Sequence, residues 1–578
     1  MMRTILILGG TGVFGKCLAR HLAQFPDIEV IVSSRTAEKA QATAKEIKAE
    51  YPDYAIFGEG LDHRHCFREA LEGLQPFAVV DCSGPFQTAE YDVADAVLHT
   101  GSHLIDLADA RNYLSGFAAN LEESADDNDV CAFTGASSSP TLSGCVVRHL
   151  VEGWRRVDTI DMCITPGGKT DVGRSAIEAI MTYAGEPVLT WRNGKIEEII
   201  GWGHSETVDV PGLGNRRISP VETIDPELLG DMYNVQSRVT FSAGLESWLE
   251  QWGMEALARL RKNRLLPHPE RFTSFLLKAR KLTRTFTTDR GGMRVEVRGL
   301  NAAGEQERAE WSLFARDGDS PFVPILPAAA LLRRLLNGDV KPGARYAFED
   351  LTLSDIADEM VGYSIWTNIR RDTLQESAFR NNLGRKRFDA MPSPIRVFHS
   401  PDGPVVWSGK ADVETGRGPL HALITRLFGL PKSGQDIDVT VAVDRPWKGS
   451  TQSERWVRDF AGNSFHSVLT HHEDGTFTER FGPMSFKIGL KSDSSGLEMP
   501  VTGWRFGPIP MPRFLAPKSE AREYRDEKGR FVFDVRLSLP IVGLLAHYKG
   551  WLKPVERRRE NGKTGENDER TPLSLEAS

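Results

Sequence analysis

Three glycines near the start of the chain, Gly10, Gly12 and Gly15, are spaced as Gly-x-Gly-x-x-Gly, with Thr11, Val13 and Phe14 between them. Chance alone supplies roughly half a match to this pattern in a chain this rich in glycine, so its setting carries the information. The motif follows directly on Ile5-Leu-Ile-Leu8, a short apolar run suited to a strand buried on both faces. Helical spacing then takes over, with Val13, Cys17, Leu18, His21 and Leu22 ahead of Pro26. A strand, a glycine turn and a helix in that order can hold a dinucleotide diphosphate. Gly10 makes the tight turn, Gly12 lets the backbone approach the anion, and Gly15 lets helix and strand pack closely. The helix N-terminus adds free N–H groups and partial positive charge.

The end of the second strand sets the cofactor. A carboxylate about 20 residues past the glycines selects NAD by accepting the ribose hydroxyls. Here the residues are Ser33, Ser34 and Arg35, all donors, and Arg35 offers a charge-assisted contact to a 2′-phosphate. NADP is therefore expected over NAD. Asp62 follows the third strand, where it could cap the next helix or meet the adenine edge. Ser83, Gly84 and Pro85 follow the fourth strand, on the ligand side of such a sheet. Cys82 beside them reads as a packed thiol, since no histidine is fixed next to it. Hydride transfer is often served by a nearby proton donor. His103 and Asp106 are the catalytic candidates, with Asp109 close by. Asp106 alternates with Ile105 and Leu107 and equally fits a carboxylate that bonds loop backbone; His103 equally fits a place outside the sheet.

Stepping outward, the first 135 or so residues alternate strand and helix. Strands are expected at Ile28–Val32, Tyr54–Phe57, Phe77–Val80, Leu104–Leu107 and Val130–Phe133, with helices between them, the surface helix Ala37–Ala49 among these. The middle of the chain predicts an antiparallel hairpin, Met293–Val297 against Glu310–Phe314 through a turn at Asn301–Gly304. A helix over Ala328–Leu336 then stops at Gly338. After Ser377 the signals are mostly β. Val439–Val443 reads as a strand, and Glu523–Arg525 with Phe531–Val535 as a hairpin.

Composition narrows the function classes. The 578 residues carry a net charge of −8, which leaves no broad footprint for nucleic acid. Two basic segments, Arg261–Leu266 and Lys278–Arg284, read as solvated helix faces. The six cysteines form no Cys-x-x-Cys pair, which argues against a disulfide framework or zinc site and fits a reducing cytoplasm. The first apolar run is too short for a signal-peptide core, and no run reaches the ~20 residues of a membrane span. Tyr524-x-x-x-Lys528 copies a dehydrogenase spacing, but on a strand and hairpin far from the glycines. His471 and His472 point to opposite faces of a strand, which is wrong for a shared metal, and read as exposed polar residues; no metal is expected.

Together these residues resemble the saccharopine dehydrogenase-like reductase family. The glycine motif, Cys82-Ser-Gly-Pro-Phe-Gln87, Gly101–Asp106, Gly135–Ser143, Phe322–Ala330 and Lys341–Ala344 carry the likeness, which covers about Met1 to Arg370. It implies an NADP-binding fold and a second domain in which a helix follows a hairpin. It does not imply saccharopine itself, because no residues for a dicarboxylate amino acid are identifiable. The last 180 or so residues resemble an uncharacterised domain, domain of unknown function 4166, through Trp456–Phe460, Glu479–Pro483, Gly529–Phe531, Leu539–Leu544 and Tyr548–Leu552. Recurrent Trp, Phe and Pro suit a β-rich core, with an apolar ligand pocket as one use of it.

The sequence thus predicts an α/β fold: a doubly wound parallel Rossmann sheet (1–145), an α+β substrate or dimerisation domain (146–372), a β-rich C-terminal domain (376–556) and a disordered tail (557–578). The expected function is NADP-dependent hydride transfer on an unidentified small molecule, with a non-catalytic NADP sensor or scaffold as the alternative. A homodimer is compatible with this plan, as is a cytoplasmic location.

Overall fold

The computed structural model describes residues 2–555 except 63–66, 171–172, 267–282, 375–376, 401–402, 404, 419–420, 422–423, 426–429, 445–446, 449–450, 473–475, 513–516 and 541. The expected tail at 557–578 and most of the basic segment from Lys278 lie outside these residues.

The first sheet is built from β1 (Arg3–Leu8), β2 (Ile28–Ser34), β3 (Ile56–Gly60), β4 (Ala78–Asp81), β5 (His103–Asp106) and β6 (Cys131–Thr134). Their order is 6-5-4-1-2-3, all parallel, the doubly wound arrangement whose switch point lies between β1 and β4. Ile5, Leu6 and Ile7 are fully buried, as a strand covered by helices on both faces requires. A seventh strand, β7 (Gly343–Tyr346), comes from some 200 residues further along and pairs with β6 in parallel. It shields what would be an open edge beside β6. The helix Leu326–Asn337, which ends on the left-handed Gly338 (φ 76°), is buried almost all round, because it packs where the first two sheets share one core.

The second sheet is mixed and has nine strands among the described residues. Its central strand Arg156–Thr165 is flanked by Arg238–Ala243 on one side and Gly291–Leu300 on the other. The expected hairpin is present and longer than the sequence suggested, Gly291–Leu300 against Gln306–Ala315, with Val295 opposite Trp311. Two links fasten this layer to the first. Ser139 and Ser143 both donate to the fully buried Asp225, and Arg111 pairs with Glu227 at 2.5 Å. Arg261, from the other basic segment, donates to the carbonyls of Met181, Thr182 and Ala184 at the end of the helix Gly173–Tyr183, so it caps a helix rather than facing solvent freely.

The third sheet, 14 antiparallel strands among the described residues, begins after the short helices Ala378–Leu383, Arg385–Ala390 and Ser393–Phe398, whose Phe379, Phe388, Ile395 and Phe398 enter its core. Buried charges join it to the second sheet. Asp444 takes Arg238 and Arg298 together, and those guanidiniums also hold Asp161 and Glu296. Burial works against ionising Glu296 and Asp161, yet the surrounding arginines overcome it and bring both carboxyls down to about 2.

Candidate active site

The glycine turn sits at the carboxyl end of β1. Gly9 is left-handed (φ 65°), and the Gly12 amide donates to its carbonyl at 2.9 Å, closing a tight turn whose central residues are Gly10 and Thr11. A Cβ on Gly10 would come within 2.5 Å of Val32 Cγ1, and one on Gly15 within 2.5 Å of the Gly9 carbonyl. Both positions therefore need glycine for packing. Gly12 differs: a Cβ there would meet only the Gly9 carbonyl, at 3.1 Å, and otherwise project into open space. It is also the N-cap of the helix Val13–His21 and has no side-chain cap, so the first-turn amides of Val13, Phe14 and Gly15 lack partners within the helix. This cradle fits a diphosphate.

The adenosine end fits NADP, with one correction. Ser33 is buried and its hydroxyl donates to the Ile7 carbonyl at 3.0 Å, so its one proton is committed to tying β2 to β1. Ser34 is half-buried, Arg35 is exposed, and no carboxylate pairs with Arg35 among the described residues. Asp62, half-buried, follows β3, the neighbour of β2; the residues that would show it capping the next helix lie outside those described. On the other side of the turn, a Cβ on Gly9 would meet Ser83 Cα at 2.7 Å, so the Ser83-Gly84-Pro85 segment lines the same groove. Burial pushes the Cys82 thiol well up, as befits a packed thiol.

Beyond the cradle, a cavity of about 320 Å³ lies between the first and second sheets. Phe14 of the glycine motif, Gln87 and Asp109 face it from one side; Thr165, Tyr183 and Glu222 face it from the other. The walls are mainly apolar, with Phe241, Met293 and Leu313 among them. Thr165 Oγ1 and Gln87 Oε1 are buried there with no hydrogen-bond partner among the described residues. Asp109 is exposed, with part of its surface facing this cavity. Desolvation by the protein around it raises its carboxyl, and a 3.2 Å bond from Gln87 only partly offsets that. Glu222 is raised by burial and by the charge of Asp109, against a lowering by Arg111. Tyr183 is raised by burial and by the same two carboxylates. The charge of Asp109 thus favours the protonated forms of both Glu222 and Tyr183.

The two catalytic candidates read from the sequence do not stand here. His103 opens β5 at its amino end, opposite the ligand edge, where Nδ1 accepts from the Cys131 amide at 3.0 Å and the ring meets Phe77 edge-on. Asp106 is at the right end of β5 but fully buried. Its Oδ1 accepts from the Ala108 and Gly135 amides and from Thr134, holding the loops after β5 and β6. Tyr183 and Glu222 gave no sequence signal, because a separate layer brings them to the site; the Gly9-Gly10 doublet could have flagged Gly9. Tyr524 is on a strand of the third sheet, far along from the cradle in the fold. His471 and His472 are half-buried rather than exposed, with His472 bonded to Thr478 at 2.8 Å. No cluster of metal-ligating side chains occurs among the described residues, and no helix among them is long and apolar enough to cross a membrane.

No curated protein matches the chain. Among solved structures, it is similar to apo histidine-tagged saccharopine dehydrogenase (L-Glu forming) from Saccharomyces cerevisiae, at 15% identity over 64% of this chain and 100% of that one, with a TM-score of 0.46. It is also similar to a meso-dapdh mutant from Clostridium tetani E88 (12% identity, 62% and 96% covered, TM-score 0.32). A myo-inositol dehydrogenase from Corynebacterium glutamicum ATCC 13032 is a further match (9%, 65% and 99%, TM-score 0.29). The family models match at the two ends: residues 5–133 as saccharopine dehydrogenase NADP binding domain, and residues 391–552 as a domain of unknown function, DUF4166. The chain therefore joins an NADP-binding domain of the saccharopine dehydrogenase type, at its N-terminus, to a DUF4166 domain at its C-terminus.

Proposed function

We propose that this protein is an NADP-dependent oxidoreductase. It transfers a hydride to or from a small, largely apolar molecule held between the Rossmann domain (1–145) and the α+β domain (146–372). The supporting observation is the continuity of cradle and cavity: Phe14 belongs to the glycine motif and also lines the space that Asp109, Tyr183 and Glu222 face. Bound NADP supplies the hydride donor or acceptor. Thr11 to Gly15 hold the diphosphate, Ser34 and Arg35 hold the 2′-phosphate, and Ser83 to Pro85 border the ribose. Asp109 and Glu222 share the proton that balances hydride transfer: surroundings that raise both carboxyls favour the protonated acid, which donates to a substrate oxygen or nitrogen as reduction proceeds. The apolar walls exclude water and favour substrates with little charge.

The test is loss of NADPH absorbance with panels of imines, keto acids and enones. At least one class should turn over, and Glu222→Gln and Asp109→Asn should each lower kcat without changing NADPH affinity. Tight NADPH binding with no turnover across all panels would favour a sensor instead.

A further inference from the structure

One face of the C-terminal sheet lines a second cavity, about 380 Å³, remote in sequence from the cofactor cradle. Side chains reach it from Gly434–Asp444 through Val501–Phe506 and again from Lys518–Arg525 through Gly543–Pro554, so the sheet must curl around it. Three features bear on what it holds. Phe481, Met484, Met499, Val501, Trp504 and Leu537 pack on the buried core yet remain only half-buried, and all six line this space. Their uncovered apolar faces turn toward the cavity. The charged groups at its wall are already matched: Arg458 Nη2 lies 3.3 Å from Glu479 Oε1, Ser467 bonds both, and Glu523 lies 2.6 Å from the fully buried His399. Among the described residues no wall charge is left over to meet an ionic ligand. Finally, protein interiors close-pack, and the apolar walls of a cavity this size forfeit dispersion contacts unless an apolar molecule fills it.

We infer that this cavity is a binding site for the hydrocarbon chain of a neutral, single-chain lipid. The volume lies within the range of small-molecule sites. At roughly 30 Å³ per water-sized group it takes about a dozen methylenes. Met484 and Met499 let the wall adapt to a flexible chain. The polar head stays outside the apolar wall, so an alcohol or ester fits and a charged head meets only charges that are already paired.

The full chain is titrated with the fluorescent probe N-phenyl-1-naphthylamine and then challenged with dodecanol, dodecanoate and dodecylammonium. Expected are saturable, blue-shifted emission at one probe per chain and displacement by dodecanol at a tenfold or lower concentration than either ion. Ala521→Trp and Val535→Phe each push bulk into the cavity from its wall. Whichever variant keeps wild-type circular dichroism and NADPH affinity should bind the probe at least tenfold more weakly. Absence of saturable probe binding to the wild-type chain overturns the assignment. So does undiminished binding in a folded variant, or better displacement by either ion.

Discussion

Replacing Arg35 by alanine separates the two cofactors in a way the geometry fixes in advance. Arg35 is exposed just past β2 and pairs with no carboxylate among the described residues, so a 2′-phosphate gains its guanidinium without breaking an existing bond. A charge-assisted hydrogen bond of this kind contributes about 1.5–3 kcal/mol, and solvent exposure puts this site toward the lower half of that range. The expected loss in NADPH affinity is therefore roughly ten- to fiftyfold. NADH has a hydroxyl where the phosphate would be, and its affinity should change by less than about twofold. Screening adds a second handle. The Debye length shrinks from about 10 Å at 0.1 M salt to about 3 Å at 1 M, so the gap between wild type and R35A should narrow at high salt. Arg35→Lys keeps the charge but not the planar fork and should fall between the two. Calorimetric titration of both chains with both cofactors, at low and high salt, reads all of this. Equal losses for NADPH and NADH, or a wild type that prefers NADH, would refute the assignment of the guanidinium to the phosphate.

Gly12→Val should abolish NADPH binding while leaving thermal unfolding within a few degrees, because its Cβ meets only one carbonyl at 3.1 Å; Gly15→Ala should instead destabilise by about 1–3 kcal/mol, since its Cβ falls 2.5 Å from backbone. Burial raises the Asp106 carboxyl to about 7, against the bonds from Gly135, Ala108 and Thr134. An acid held protonated by the fold lends stability that is complete below its unfolded value near 4 and is lost as pH rises through 7. In urea unfolding from pH 4 to pH 8 the wild type should thus lose on the order of 4 kcal/mol relative to Asp106→Asn, and parallel pH curves would refute this. Asp161 and Glu296 carry the opposite sign: brought down to about 2, they stabilise above pH 4 and cease to as pH falls through 2. Asp444→Ala leaves Arg238 with Asp161 and Arg298 with Glu296, so its cost should sit near the low end for a broken buried pair, about 3 kcal/mol by chemical denaturation.

The cofactor cradle was legible because all its parts lie within one strand, one turn and one helix of each other, and because a glycine there answers a local steric demand. Even so, the division of labour shifted. Gly9 adds a left-handed residue just ahead of the turn at Gly10, and Ser33 turns inward to Ile7 instead of toward the phosphate. Alternation and composition located the strands of the first sheet to within three residues at each end. They had no means of placing Gly343–Tyr346 beside Cys131–Thr134, because pairing across some 200 residues leaves no periodic mark in either segment.

The catalytic candidates failed for a related reason. A strand of four residues such as His103–Asp106 has two ends, and only one faces a ligand. His103 occupies the wrong one. Asp106 occupies the right one but spends its carboxylate on loop amides, a use that a sequence cannot distinguish from catalysis, since both call for an acid after a strand. Glu222 and Tyr183 reach the cavity from the second sheet, more than 70 residues from Asp109 in sequence, and depend on Asp225 and Glu227 to dock that layer on Ser139, Ser143 and Arg111. The proposed proton-handling pair therefore comes together only once the two layers have joined. Weakening the dock, as Asp225→Asn would by putting a donor in place of one of the two oxygens that accept from Ser139 and Ser143, should lower kcat for any substrate found while NADPH affinity, set wholly within the first sheet, stays near wild type.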